Sequence, residues 1–155
     1  MEWYSKNFNQ LDNLELYQIL QERLEIFILE QHSIYQDIDN IDIDCQHIFA
    51  KDNGNVVAYC RIVPKGKRFP ELSIGRVIIA KSYRKQGLGL EMMERAIAYV
   101  TEELQEDVIR ISAQAYLLQF YESLGFRKMS EEGYQEDGIL HYAMIRNKNI
   151  VADNQ

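Results

Sequence analysis

Residues 73–104 constrain the fold more than any other stretch, because their hydrophobic period changes across two glycines. Positions 73–80 read Ser-Ile-Gly-Arg-Val-Ile-Ile-Ala, a β-branched apolar run of strand length. Lys81, Ser82 and Tyr83 interrupt it before Arg84-Lys85-Gln86-Gly87-Leu88-Gly89. From Leu88 onward the apolar residues fall at helical spacing, at Met92, Met93, Ala96, Val100 and Leu104. A strand thus hands over to the N-terminus of a long helix at a pair of glycines. Unpaired backbone N–H groups and the positive end of a helix dipole make such a junction an anion site. Glycine lets the backbone close on a phosphate with no Cβ in the way. Arg84 and Lys85 add positive charge to the same loop. These residues describe a pyrophosphate cradle; a glycine-rich turn before an ordinary amphipathic helix is the alternative.

Two familiar phosphate loops do not fit. A Walker A loop requires Gly-Lys-Ser/Thr at its end, whereas Gly87 is followed by Leu88-Gly89-Leu90. A dinucleotide fingerprint requires a third glycine where this chain has Met92.

The surroundings of the loop are those of one soluble domain. The 155 residues are 46% hydrophobic and 26% charged, and they suffice to bury a core. A net charge of −7 disfavours duplex nucleic acid and anionic membranes as partners. Cys45 and Cys60 form no Cys-x-x-Cys pair, and the N-terminus has no apolar export signal. Both thiols are expected to be reduced, in a cytoplasmic protein. No segment is apolar enough to span a membrane. A single domain over 1–147 with a polar tail over 148–155 is expected, and monomer and homodimer both stay open.

Along the chain, 2–8 is a first strand and Asp12 or Asn13 caps a helix from Leu14 to about Glu30. Its buried stripe is expected at Leu16, Ile19, Leu20, Leu24, Phe27 and Ile28. Asp37, Asp39, Asp42 and Asp44 follow in an acidic stretch. An EF-hand loop is excluded there, because it needs Asp, Gly and Glu where Ile41, Asp42 and Ile48 stand. The stretch is either a solvated loop or one wall of a pocket for a cation. Strands at 46–51 and 55–63 flank an Asp52-Asn53-Gly54-Asn55 turn, and 64–70 is a mobile basic loop. After the central helix come a strand at 107–113, a short helix at 116–124 stopped by Gly125, and strands at 126–130 and 139–145.

The loop Arg84-Lys85-Gln86-Gly87-Leu88-Gly89 has the form Arg/Gln-x-x-Gly-x-Gly/Ala, and resembles the acyl-CoA loop of the GNAT N-acetyltransferases. Phe120-Tyr121-Glu122-Ser123-Leu124-Gly125-Phe126 resembles that family's Phe-Tyr-x-x-x-Gly-Phe helix motif. The two lie either side of one strand, as in the family, and the resemblance covers nearly the whole chain. Three segments are similar to the ElaA branch: Glu30-Gln31 with Tyr35-Gln36-Asp37-Ile38-Asp39, Ala113-Gln114-Ala115, and Glu136-Asp137-Gly138-Ile139-Leu140-His141. Many GNATs carry Asn where this chain has Gln114.

This resemblance implies an α+β (mixed α/β) fold whose mixed, mostly antiparallel sheet splays at an acyl-CoA cleft between flanking helices. It implies acetyl-CoA as cosubstrate, an amine acceptor and no metal. The backbone near Val77, Ile78 and Ile79, together with Gln114 and the loop residues 84–89, would hold the coenzyme. Acyl transfer needs a polarised carbonyl, a neutral amine and a protonated leaving thiolate. Tyr121 matches the tyrosine that protonates the thiolate; a phenol of pKa about 10 suits that task. The base stays open among Glu30, Asp37, Asp39, Glu136 and His141. Asp37, Asp39 and Glu136 are also candidates for holding a cationic acceptor. A coenzyme-binding sensor without catalysis is the competing function, and a nucleotide-binding protein using the same loop is a third.

Overall fold

A computed structural model of the chain describes residues 1–153. The Asn53-Gly54 turn, with φ +51° and +80°, closes a hairpin between β2 (Gln46–Asp52) and β3 (Asn55–Val63). Both turn residues take the left-handed backbone that such tight hairpins need. β1 (Glu2–Asn7) pairs antiparallel with β2, and β4 (Ser73–Ile79) pairs antiparallel with β3. Period-two alternation then gives the meander two faces. Ile48, Ala50, Ala58, Cys60 and Ile62 join the larger core, whereas Phe49 and Tyr59 join a second core on the opposite face.

The larger core is capped by α2 (Leu88–Ala98), whose Met92, Met93 and Ala96 are fully buried. Each such methionine contributes about 1.5–3 kcal/mol by leaving water. The second core lies under α1 (Asn13–Arg23), which starts at the expected Asp12 cap. Both helices widen at their ends. Residues 24–30 and 99–103 continue as π-helix, with Gln31 N–H donating to the Ile26 carbonyl and Leu104 N–H to the Tyr99 carbonyl.

The expected stripe of α1 is corrected by this geometry. The buried line is Glu15, Ile19, Arg23 and Ile26, while Leu24 is 50% exposed. Two of those four are charged, and each is buried because it meets opposite charge. The carboxylate of Glu15 binds both Lys6 and Lys51 at 2.9 Å. Burial pushes its pKa up, but the Asp12 backbone N–H and the two ammonium groups outweigh that and hold it at about 2.

β4 pairs in parallel with β5 (Val108–Gln114) at one position only, Ser73 with Arg110. Beyond Ser73 the two strands separate and the sheet opens into a cleft. The far half is antiparallel: β8 (Ile139–Asn147) lies beside β5 on one edge. On its other edge it pairs with β6 (Arg127–Lys128) and with β7 (Tyr134–Glu136). The sheet is thus mixed, mostly antiparallel and splayed, as expected. β7 is an addition to the expected elements, closed onto β8 by Asp137 and Gly138 at φ +53° and +81°.

α3 (Leu118–Ser123) follows a single 3₁₀ turn at Ala115–Leu117. Within the expected polar tail over 148–155, α4 (Lys148–Asp153) is helical, and 154–155 lie outside the described residues. The basic loop is tied at three points, Lys65 to Glu106, Lys67 to Asp44 and Arg68 to Glu136. No helix among the described residues is long and apolar enough to cross a membrane.

Candidate active site

The gap between β4 and β5 is a cleft of about 710 Å³. Backbone from Ile74 to Ile79 forms one wall, and Ser112 and Gln114 of β5 line the other. β5 alternates, with Ile109, Ile111 and Ala113 in the core and Ser112 and Gln114 turned to the cleft.

The glycine loop closes one end. Lys85 and Gly87 stand at φ +64° and +79°, so successive peptide units alternate in hand and can present N–H groups to one concave side. A Cβ on Gly87 would meet no atom within 4 Å, so the backbone conformation, not crowding, calls for glycine there. Gly89 differs: its added Cβ would touch Ile79 and Phe120 at 3.8–4.0 Å, ordinary packing distance. Of the expected coenzyme residues, Val77, Ile78, Ile79, Arg84, Lys85, Gly87, Leu88, Gly89 and Gln114 all line the cleft. Gln86 does not; it is exposed and its side-chain amide donates to the Ser82 carbonyl.

Tyr121 projects from α3 into the same cleft, between Phe120 and Phe126, both edge-on to its ring. Burial, reinforced by the neighbouring Cys60 and Tyr116, raises its pKa above the ordinary phenol value. It therefore stays protonated throughout the neutral range. Among the described residues nothing hydrogen-bonds its hydroxyl, which leaves the proton free to serve a ligand.

His141, buried and stacked on Tyr134, lines the same cleft. Its Nδ1 lies 2.7 Å from the Ile139 carbonyl. A carbonyl only accepts, so Nδ1 carries a hydrogen, and in the neutral ring the lone pair then falls on Nε2. Nε2 stands 3.7 Å from Glu136 Oε2. Ser112 Oγ donates to that same Glu136 oxygen at 3.0 Å, and Arg68 to the other at 2.9 Å.

The remaining expected carboxylates have different surroundings. Glu30 lines the cleft, but both its oxygens receive Arg84 at 2.6 and 2.8 Å. Those hydrogen bonds and the guanidinium charge hold its pKa below the usual carboxylate range, a poor setting for a base. Asp37 and Asp39 are not on the cleft wall. The acidic stretch folds inward over three arginines that sequence reasoning did not single out. Arg23 binds Asp37 and Asp42 at 2.8 and 2.7 Å; Arg61 binds Asp39 and Asp42 at 2.7 and 2.8 Å. Arg76 binds Asp37 at 2.7 Å. These carboxylates thus already hold protein cations, which removes the basis for reading them as a wall for a cationic acceptor. A signal for the arginines was present: Arg61 and Arg76 interrupt apolar strands, and Arg23 falls on the inner face of α1. Among the described residues no group of three or more His, Cys, Asp or Glu side chains is arranged to hold a metal.

The sequence signature of the family described as "Acetyltransferase (GNAT) domain" matches residues 15–148. The chain belongs to the GNAT acetyltransferase family. It is 36% identical to Protein ElaA of Escherichia coli over 148 residues, covering 94% of this chain and 96% of that one. The crystal structure of Escherichia coli ElaA superposes with a TM-score of 0.88 at 35% identity, over 95% of this chain and all of that one. An acyl-CoA N-acyltransferase from Pseudomonas aeruginosa gives the same TM-score and identity, over 94% and 99% of the two chains. Membership makes this GNAT protein an acyltransferase.

Proposed function

We propose that the protein moves an acetyl group from acetyl-CoA to a primary amine, by direct attack of the amine within a ternary complex. The observation that carries this reading is a single cleft lined by the glycine loop, by His141 and by Tyr121. The loop N–H groups and Lys85 receive the pyrophosphate. Backbone N–H groups of β4 near Val77 and Ile79 polarise the thioester carbonyl. His141 Nε2, with its lone pair free, takes the proton of the attacking ammonium or amine, and Glu136 stands beside it to stabilise the imidazolium. As the tetrahedral intermediate collapses, the Tyr121 hydroxyl donates its proton to the departing thiolate. No protein nucleophile is needed, which agrees with both cysteines being buried and with burial pushing the Cys60 thiol up to about 12.

Calorimetric titration with acetyl-CoA, followed by thiol release over a panel of amines, tests the reading. Binding with amine-dependent release is expected. Tyr121→Phe is expected to lower turnover by about 100- to 1,000-fold while leaving coenzyme affinity nearly unchanged. Absence of acetyl-CoA binding overturns the whole proposal.

A further inference from the structure

Arg76 is a charged residue inside an apolar strand, and its backbone stands at φ +51°. Residues with a Cβ rarely occupy that region. The strand register explains why it does. Tyr59 pairs with Ile78 and Arg61 with Gly75, so Arg76 and Val77 together oppose Cys60 alone. This is a β-bulge, and its extra residue has no partner in the ladder. It lies beyond Ser73, the last β4 residue paired to β5, where the strand edge faces the open cleft.

The Arg76 side chain is fixed from several directions. Nε donates to Asp37 Oδ1 at 2.7 Å. A terminal nitrogen reaches the Asp37 carbonyl at 3.2 Å and Asp39 Oδ2 at 3.4 Å. The guanidinium lies over the Tyr35 ring at 5.6 Å, and the Tyr35 hydroxyl itself donates to Asp37. Asp37 and Asp39 are held from behind by Arg23 and Arg61, both fully buried. Strained backbone persists where its surroundings over-determine it, and here they do.

We infer that the Asp37–Arg76 pair is a positioning clamp that keeps the β4 bulge in its left-handed form. It thereby aims the β4 backbone N–H groups at the thioester carbonyl. The inference rests on the acetyl-transfer reading above, and it gives the acidic stretch a task at the active site without contact with the reacting atoms. The force runs through a short path: buried Arg23 fixes Asp37, Asp37 fixes the Arg76 side chain, and that side chain fixes its own backbone.

The test reads the carbonyl itself. Acetyl-CoA labelled isotopically at the carbonyl carbon is bound to the protein, its carbonyl band is followed by infrared difference spectroscopy, and affinity is measured by calorimetry. The wild-type protein is expected to shift the band to lower frequency than in water, because hydrogen bonding weakens the carbonyl. Arg76→Ala is expected to lose most of that shift with acetyl-CoA affinity within about threefold of wild type, since the loop is untouched. Arg76→Gly is expected to recover part of it, because glycine takes positive φ without strain. With any amine that supports thiol release, Arg76→Ala lowers kcat by about 100-fold and leaves KM for the amine nearly constant. Asp37→Asn is a second variant, with near-ultraviolet circular dichroism to confirm its fold, and is expected to behave like Arg76→Ala.

A band in Arg76→Ala identical to wild type overturns the clamp. So does a rise in amine KM with kcat unchanged, which would make Arg76 an acceptor contact. Wild-type protein that binds acetyl-CoA with no band shift overturns the clamp and leaves coenzyme binding standing. Failure of wild-type protein to bind acetyl-CoA removes the underlying reading and the clamp with it.

Discussion

Two charged regions adjoin the cleft, and they use charge in opposite ways. In the acidic stretch the carboxylates of Asp37, Asp39 and Asp42 all close on arginines of the same molecule. Three negative charges meet three positive ones, and little is left for a ligand. In the glycine loop the side chains do less. Arg84 is held by Glu30, and the loop's anion-binding capacity lies in backbone N–H groups that no side chain fills. Formal charge is therefore a poor guide to where a ligand binds. The region richest in charge is part of the frame, and the region with two glycines is the one proposed as the receptor.

Replacing Asp42 attacks this contrast hardest. It sits between Arg23 and Arg61, and burial, which alone would raise its pKa, is outweighed by the two guanidinium groups. Asp42→Ala leaves two buried cations short of a partner and is expected to cost about 3–5 kcal/mol of stability in urea unfolding. A cost under about 1 kcal/mol would show the cluster to be dispensable to the frame.

Gly87→Val tests the other side. The valine must enter a left-handed conformation worth about 1–3 kcal/mol of strain, or the loop must change shape. Coenzyme affinity is expected to fall roughly 10- to 100-fold, read by calorimetry with acetyl-CoA, and the thermal midpoint of the free protein to drop by a few degrees as it carries the strain. Undiminished affinity would mean that the cradle lies elsewhere.

A pH series sharpens the comparison within the acidic cluster. His47 is fully buried, with Nδ1 receiving the Tyr59 hydroxyl at 2.6 Å and Nε2 donating to the Asp42 carbonyl at 3.0 Å. Burial lowers its pKa below that of the unfolded chain. The unfolded state then binds the proton first, so the stability from the neutral ring is lost as pH falls below about 6.5. Asp39 and Asp42, whose pKa values are depressed by their arginines, add losses of the same sign below about pH 4. Urea midpoints at about pH 7 and pH 5 should separate for the wild type and draw together in His47→Gln; equal separations in both would sink the assignment to His47.

The mildest expected change is Glu30→Gln. Glu30 and Arg84 are 39% and 36% exposed, so their pairing contributes about 0.2–1 kcal/mol. Thiol-release turnover is expected to stay within about threefold of wild type. A loss as large as that of Tyr121→Phe would restore Glu30 as the base.

Legibility in the sequence follows the range of each interaction. The strand, loop and central helix of 73–104 were readable because period and glycine placement are local. So was the β2–β3 hairpin, through Asn53-Gly54. The arginine cluster was not, since Asp37 meets Arg76 and Asp39 meets Arg61 only after the chain has folded across two strands. Short β7 was missed for a similar reason: Tyr134, Gln135 and Glu136 are too few to show a period, and they pair because Asp137-Gly138 turns them back on β8. The π-helical ends of α1 and α2 leave no local signal of composition, and Leu24, where the first of them begins, is half exposed.

The lone Ser73–Arg110 pairing has a consequence for isotope exchange. β4 stands fourth in the sheet, with β3 on one side and β5 on the other, where slow exchange would be the ordinary expectation. Past Ile74, however, its β5-facing amides meet no strand and are open to solvent through the cleft. In the free protein those amides should exchange as an edge strand's do, while β3 beside them stays protected. A molecule seated in the cleft would reverse that, and deuterium uptake between Arg76 and Ile79 would report its arrival without any assay of chemistry.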